Sequence, residues 1–273
     1  MAAKSVGKFA VTAVSDGELK SSLDCILGVE RDELERLAGQ AFDTPIWLHV
    51  NAFLVDLNGK WTLIDAGSGP NMQPTLGRLP DNLRAFGVAP EHIAQVVLTH
   101  LHPDHSNGLI DGAGNAVFPN AELIVHEVEA RFWLDRDEGP NDSERVRRDL
   151  KAQKLSTAPY RGRIRRVPDG VALPGLTAMM AGGHTPGHTC WLIESNGERL
   201  LIWGDIVHIA AVQVPRPDTG LIFDVDPVQA CASRRRLFDF VAGEKLTVAG
   251  AHLGFPGFAT IDKRGDGYTY TPA

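Results

Sequence analysis

Three histidines and an aspartate crowd into the run Thr99-His100-Leu101-His102-Pro103-Asp104-His105, directly after the short apolar stretch Gln95 to Thr99. Histidine and aspartate are poor core residues unless paired, and packed imidazoles repel once charged, so something positive or hydrogen-bonding must unite them. Imidazole and carboxylate together suit a borderline divalent cation, with zinc the leading choice and manganese, iron or cobalt compatible. Alternation along an extended segment puts His100 and His102 on one face, where they can clasp a single ion. Asp104 and His105 then lie across a bend stiffened by Pro103 and reach a neighbouring ion.

Four local ligands do not complete two sites, and the remaining donors also follow strand-like runs. Gly183-His184-Thr185-Pro186-Gly187-His188-Thr189 places two histidines in a glycine-rich turn. Trp203-Gly204-Asp205 brings a carboxylate after one apolar run, and Gly250-Ala251-His252 an imidazole after another. Each is weak by itself; together, and in this order, they define a metal centre assembled from distant segments.

The rest of the chain reads as α/β. Phe9 to Val14 predicts a strand ending in a turn at Ser15-Asp16-Gly17, and Arg31 to Leu37 a short amphipathic helix. Leu48 to Leu57 and Trp61 to Ile64 form a hairpin around Asn58-Gly59, a pair that tolerates positive φ. Leu76, Leu79, Leu83 and Phe86 recur at helical spacing and predict a helix over Pro74 to Phe86. Asp226-Pro227 reads as the cap and first turn of a helix running to about Val241. Strand groups followed by helices in both halves imply a layered α/β sandwich with its site along one sheet edge. One domain over 1–273 is expected, with an N-terminal extension over about 1–45.

Composition removes several function classes. A net charge of -7 argues against nucleic acid, which needs a clustered basic face. The arginines at 161, 163, 165 and 166 read as a strand showing charge to solvent. Cys25, Cys190 and Cys231 are too scattered for a disulfide framework or a zinc knuckle. No run approaches the roughly 20 apolar residues of a membrane span, so a cytoplasmic protein without membrane partners is expected. A small molecule is the expected substrate, and a homodimer would give the N-terminal segment a place to pack.

The string HLHPDH, then GHTPGHT, then GD, then AH, resembles the metallo-β-lactamase superfamily over about Asn51 to His252. The resemblance implies an αββα four-layer sandwich holding two metal ions, most often zinc. It implies that His100, His102 and His188 hold one ion, that Asp104, His105 and His252 hold the other, and that Asp205 bridges them. His184 and Asp65, the latter in the turn Ile64-Asp65-Ala66-Gly67, are then left to support the ligands from behind. The run GDIVHIAAVQVPRPD, the pair Phe132-Trp133 and the ending Phe255-Pro256-Gly257 before GYTYTP look closest to methyl parathion hydrolase-like members. That group includes lactonases and esterases, and by this likeness Phe132, Trp133 and Phe255 line an apolar substrate pocket. N-acyl homoserine lactonases of the superfamily carry a tyrosine near His208, from which this chain departs.

Two adjacent cations lower the pKa of bound water toward about 7 and need no serine or cysteine nucleophile. The expected activity is hydrolysis of an ester, lactone or phosphotriester, with Asp104 handling a proton and His208 touching the substrate or leaving group. The alternatives on the same fold are an iron-dependent oxidoreductase of the persulfide dioxygenase kind and a β-lactam hydrolase. An RNA-processing nuclease ranks lower, because the chain is acidic and shows no added nucleic-acid-binding domain.

Overall fold

The computed structural model describes residues 2–265 and 267–273. Two seven-stranded sheets carry the molecule. The first runs, edge to edge, through Ala3–Val6, Phe9–Ser21, Ile46–Asp56, Trp61–Ile64, Ile93–Val97, Glu122–His126 and Ile164–Val167. Its pairings are antiparallel as far as Trp61–Ile64 and parallel from there on. The second runs Gly267–Pro272, Phe258–Arg264, Thr247–Ala249, Glu198–Ile202, Thr189–Ser195, Leu176–Met180, Gly170–Leu173. It is antiparallel except where Thr247–Ala249 lies parallel to Glu198–Ile202.

Why several strands read as unbroken apolar runs is plain from where their two faces go. Val97 and Ile124 point between the sheets, against Trp191, Ile193 and Ile202, while Val96, Leu123 and Val125 point outward. There they meet Leu83, Trp133, Leu150 and Tyr160, beneath the helices Leu79–Ala85 and Glu144–Ser156. On the second sheet, Leu200 and Ile202 face inward and Leu201 outward, onto Leu237, Phe238 and Val241 of the helix Pro227–Gly243. Both faces of these strands are covered, so both need apolar residues. The result is the αββα sandwich.

Two local expectations are corrected. The strand expected to stop at Ser15-Asp16-Gly17 continues to Ser21, with a register slip between Ser15 and Gly17. Asp16 turns inward there, and its carboxylate accepts the N–H groups of Ser68, Gly77 and Leu79. Gly17 has φ 122°, and a Cβ on it would meet the Thr75 carbonyl oxygen at 2.0 Å, so the bulge is a built feature. Residues 3–21 therefore belong to the first sheet instead of forming an extension. The helix expected from Pro74 begins only at Leu79, with Pro80 in its first turn, where no amide donor is needed. Leu76 is buried ahead of it as part of a loop.

The Asn58-Gly59 hairpin forms, with φ of 58° and 83°, and Asp226 caps its helix by accepting the Gln229 N–H at 3.0 Å. A side cluster of Leu23, Cys25, Leu34, Leu48, Ile209, Val212 and Leu221 gathers the helix Arg31–Ala38 against the edge that carries the site. No helix among the described residues is long and apolar enough to cross a membrane.

Candidate metal centre

Loops following strand ends deliver the donor residues to one rim of the sandwich. His100 follows Ile93–Val97, Asp205 follows Glu198–Ile202, and His252 follows Thr247–Ala249. His184 stands in the turn between Leu176–Met180 and Thr189–Ser195. His102 precedes a single helical turn, Pro103–Ser106, which swings Asp104 and His105 back toward the same point.

Two ligand groups result, one of His100, His102, His184 and Asp205, the other of Asp104, His105, Asp205 and His252. In the first, His102 Nδ1 stands 2.8 Å from His184 Nε2. Asp205 Oδ2 lies 3.2 Å from His184 Nε2 and 3.6 Å from His100 Nε2. In the second, His105 Nε2 lies 3.1 Å from Asp205 Oδ1 and 3.6 Å from Asp104 Oδ2. His252 Nε2 is 3.2 Å from Asp205 Oδ2 and 3.4 Å from Asp104 Oδ2. Asp205 belongs to both groups.

These residues fit a pair of cations. His100 Nε2, His188 Nδ1, His105 Nε2 and Asp205 Oδ1 are buried without a hydrogen-bond partner among the described residues, the last two standing 3.1 Å apart without forming one, a costly arrangement unless a cation takes the lone pairs. Burial, reinforced by the neighbouring histidines, holds His100 and His102 well below the usual imidazole range. Burial opposes charge on His184 too, yet the carboxylates of Asp205 and Asp224 lift it to about 9. The cluster cannot share protons evenly, and a metal ion removes the conflict.

The structure brings His184 into a ligand group, and it sets the ring of His188, the ligand that the resemblance implies, 5.1 Å from the ring of His100. His188 Nε2 accepts the Asp205 backbone N–H at 3.0 Å, and its Nδ1 is buried without a hydrogen-bond partner among the described residues. Gly204 permits this approach, since a Cβ on it would lie 2.7 Å from His188 Nε2. Both histidines of the turn are buried beside the other donors.

Outer hydrogen bonds aim the rings. Asp65 receives the Thr99 N–H at 2.8 Å and faces His105 Nδ1 at 2.8 Å. His252 Nδ1 faces the His49 carbonyl at 2.8 Å, and Asp224 faces His184 Nδ1 at 2.8 Å. Asp224 escaped sequence reasoning, as did Glu129. The buried Glu129 carboxylate accepts the Leu101 N–H at 2.8 Å, the Gly187 N–H at 3.0 Å and the Thr185 hydroxyl at 2.8 Å. One side chain thereby ties the loop of His100 and His102 to the loop of His184. No motif marks either acid, because their partners are backbone and side-chain groups far away in sequence.

Above the ligands lies a cavity of about 240 Å³, with Asp104, Asp205, His208 and His252 in its floor. Leu19, Leu48, Met72 and Phe223 form apolar wall, and Arg145, Arg148 and Lys20 add positive charge. His208 stacks on His252 at 4.7 Å and places Nε2 3.0 Å from Asp205 Oδ2. Burial draws its ring down to about 4. Phe132, Trp133 and Phe255 do not line this cavity, contrary to expectation. Trp133 is fully buried in the outer core, with its ring edge-on to His102 at 5.8 Å. Phe132 stacks under the Arg136 guanidinium at 4.2 Å, and Phe255 is 40% exposed. An aromatic pair on a covered helix joins the core because that face is already roofed.

Comparison with known proteins agrees with this fold. The model of the Metallo-beta-lactamase superfamily matches residues 45–252. An N-acyl homoserine lactonase of Bacillus sp is 26% identical over 175 residues, covering 58% of this chain and 61% of that protein. The N-acyl homoserine lactonase AiiB of Agrobacterium fabrum is 29% identical over 152 residues, 44% of this chain and 52% of that protein. The matches thus span between about half and three fifths of these relatives. Among solved structures, the hydrolase AbOPH of the beta lactamase superfamily superposes with a TM-score of 0.93 at 31% identity, covering 99% of this chain and 96% of that one. AidC, a dizinc quorum-quenching lactonase, superposes with a TM-score of 0.91 at 25% identity, covering 100% of this chain and 97% of that one. With its ligand loops, its sandwich and more than half its length matched, this chain belongs to the metallo-beta-lactamase superfamily.

Proposed function

We propose that this protein is a dinuclear metal-dependent hydrolase acting on an acylated lactone. One observation carries the reading: two ligand groups share Asp205 at the floor of a cavity whose wall is apolar at Leu19, Leu48 and Met72. The lactonases named above support the substrate class, and the dizinc relative supports zinc as the metal.

His100, His102, His184 and Asp205 would hold one cation, and Asp104, His105, Asp205 and His252 the other. Bound there, two divalent ions supply Lewis acidity toward the carbonyl and a water-derived nucleophile near neutral pH. Asp104 borders the cavity, and its carboxylate would take the proton that water loses on attack. The ester C–O bond breaks as water oxygen adds to the acyl carbon, and that proton ends on the leaving alcohol. The products are a carboxylate and a hydroxyl on one opened chain, with the second proton of the water released to solvent. His208 serves Asp205, its Nε2–H donating to Oδ2, and so orients the shared carboxylate. Glu129 and Asp65 keep the histidine loops in register.

A panel of N-acyl homoserine lactones, plain lactones, aryl esters, phosphotriesters and β-lactams, run on protein with its metal quantified, tests the reading. N-acyl lactones are expected to give the largest kcat/KM, at two metal ions per chain. Turnover of a β-lactam or phosphotriester with no lactone hydrolysis removes it.

A further inference from the structure

Arg145 lies in the first turn of the helix Glu144–Ser156, half-buried, and borders the cavity beside His102. Its guanidinium is fixed on three sides. Nε lies 3.4 Å from Oδ2 of the buried Asp149, Nη1 donates to the Ile222 carbonyl at 3.0 Å, and the group stands 4.9 Å over the Phe223 ring. Nη2 remains, and it approaches Nε2 of His102 at 3.5 Å. The other nitrogen of that imidazole, Nδ1, faces into the first ligand group. A neutral imidazole that gives the Nδ1 lone pair to a cation carries its proton on Nε2. Two N–H groups, one of them cationic, then meet side by side and cannot satisfy each other. Asp149 does not resolve this, since Arg148 donates twice to its Oδ1 while Oδ2 pairs with Arg145 Nε. Among the described residues the pair lacks an oxygen acceptor.

We propose that Arg145 Nη2–H and His102 Nε2–H form an oxygen-binding subsite for the amide carbonyl of an N-acylated lactone. The inference rests on the lactonase reading and deepens it, by assigning a specificity determinant away from the bond that breaks. His102 is a ligand, so the subsite lies one imidazole ring from the cation that would engage the scissile carbonyl. In an N-acyl amino lactone the amide carbon is three bonds from the scissile carbon, within that reach. A plain lactone has no oxygen there. The acyl chain beyond the amide would run onto Leu19, Leu48 and Met72.

The test compares wild type, Arg145→Met and Arg145→Lys on N-hexanoyl homoserine lactone and on γ-nonalactone, which lacks the amide. Arg145→Met is expected to raise KM for the first substrate about 10- to 100-fold, the scale of one lost charge-assisted hydrogen bond, with kcat changed little. KM for the second and the metal content should stay at wild-type values. Arg145→Lys keeps the charge without the planar fork and should recover part of the loss. Equal effects on both substrates, or no effect on either, overturn the subsite. If wild type hydrolyses neither lactone, the lactonase reading falls by itself. The subsite is then judged by calorimetric binding of N-hexanoyl-homoserine against 4-hydroxynonanoate, where only an Arg145-dependent preference for the amide-bearing ligand sustains it.

Discussion

His188 Nε2 accepts the backbone N–H of Asp205, while His184 stands with His100, His102 and Asp205 in one candidate ligand group. His184→Ala should therefore remove about one metal equivalent per chain and abolish turnover. His188→Ala should keep measurable metal and weaken affinity by about 10- to 100-fold, as expected for a supporting residue. Elemental analysis of both variants decides between them. Loss of a metal equivalent in His188→Ala, with full occupancy in His184→Ala, would reverse the assignment.

Glu129 joins the two histidine loops through three accepted hydrogen bonds. Glu129→Ala leaves buried donors unsatisfied, at about 1–3 kcal/mol for each group. Glu129→Gln keeps a carbonyl oxygen and should lose less. Denaturant midpoints together with zinc affinity read the effect. A Glu129→Ala protein with wild-type midpoint and affinity would show that the loops hold themselves.

Trp133 backs His102 from the core side. Trp133→Ala is expected to lose about 3–5 kcal/mol of stability, and Trp133→Phe a smaller part, with KM for lactones unchanged in the latter. A large KM shift in Trp133→Phe at normal stability would return this side chain to the substrate pocket.

Met72 lies at the cavity wall and is 37% exposed. Met72→Ala should cost little stability, and it should raise KM for long acyl chains more than for short ones. Burial of apolar chain is worth about 0.8 kcal/mol per methylene, so the gap should widen as the chain lengthens. Indifference to chain length in Met72→Ala would place the acyl group elsewhere.

Chelation should lower Tm, since the ions bind the folded chain alone and their removal withdraws that contribution. Calorimetry with and without added zinc checks it. A Tm indifferent to chelator would contradict the strain read from unpartnered His100, His105 and Asp205 atoms.

The sandwich and most of the ligands could be read from the residues, because each ligand follows an apolar run and the string from His100 to His105 has no cheap alternative. What escaped depends on contacts across the fold. Asp16 sits in what reads locally as a turn, yet distant amides at Ser68, Gly77 and Leu79 draw it into a bulge. Trp133 reads as a pocket aromatic, but its helix faces a covered sheet. His184 and His188 share one turn, and the contact of the second with the Asp205 amide depends on a Gly204 backbone at φ 55°, which no local pattern shows. Arg145 looks like one charge among many on an exposed helix. Only the proximity of His102 gives it a role.

Because Asp205 stands in both ligand groups while His184 and His252 come from the second half of the chain, neither binding pocket exists in a nascent polypeptide that has reached only His105. Capture of the first ion must wait until Asp205, and of the second until His252, has been synthesised and both halves have closed on each other. During translation, the imidazoles of the early loop are exposed to whatever cations the surroundings offer, and selection of the right pair falls to the final stage of folding.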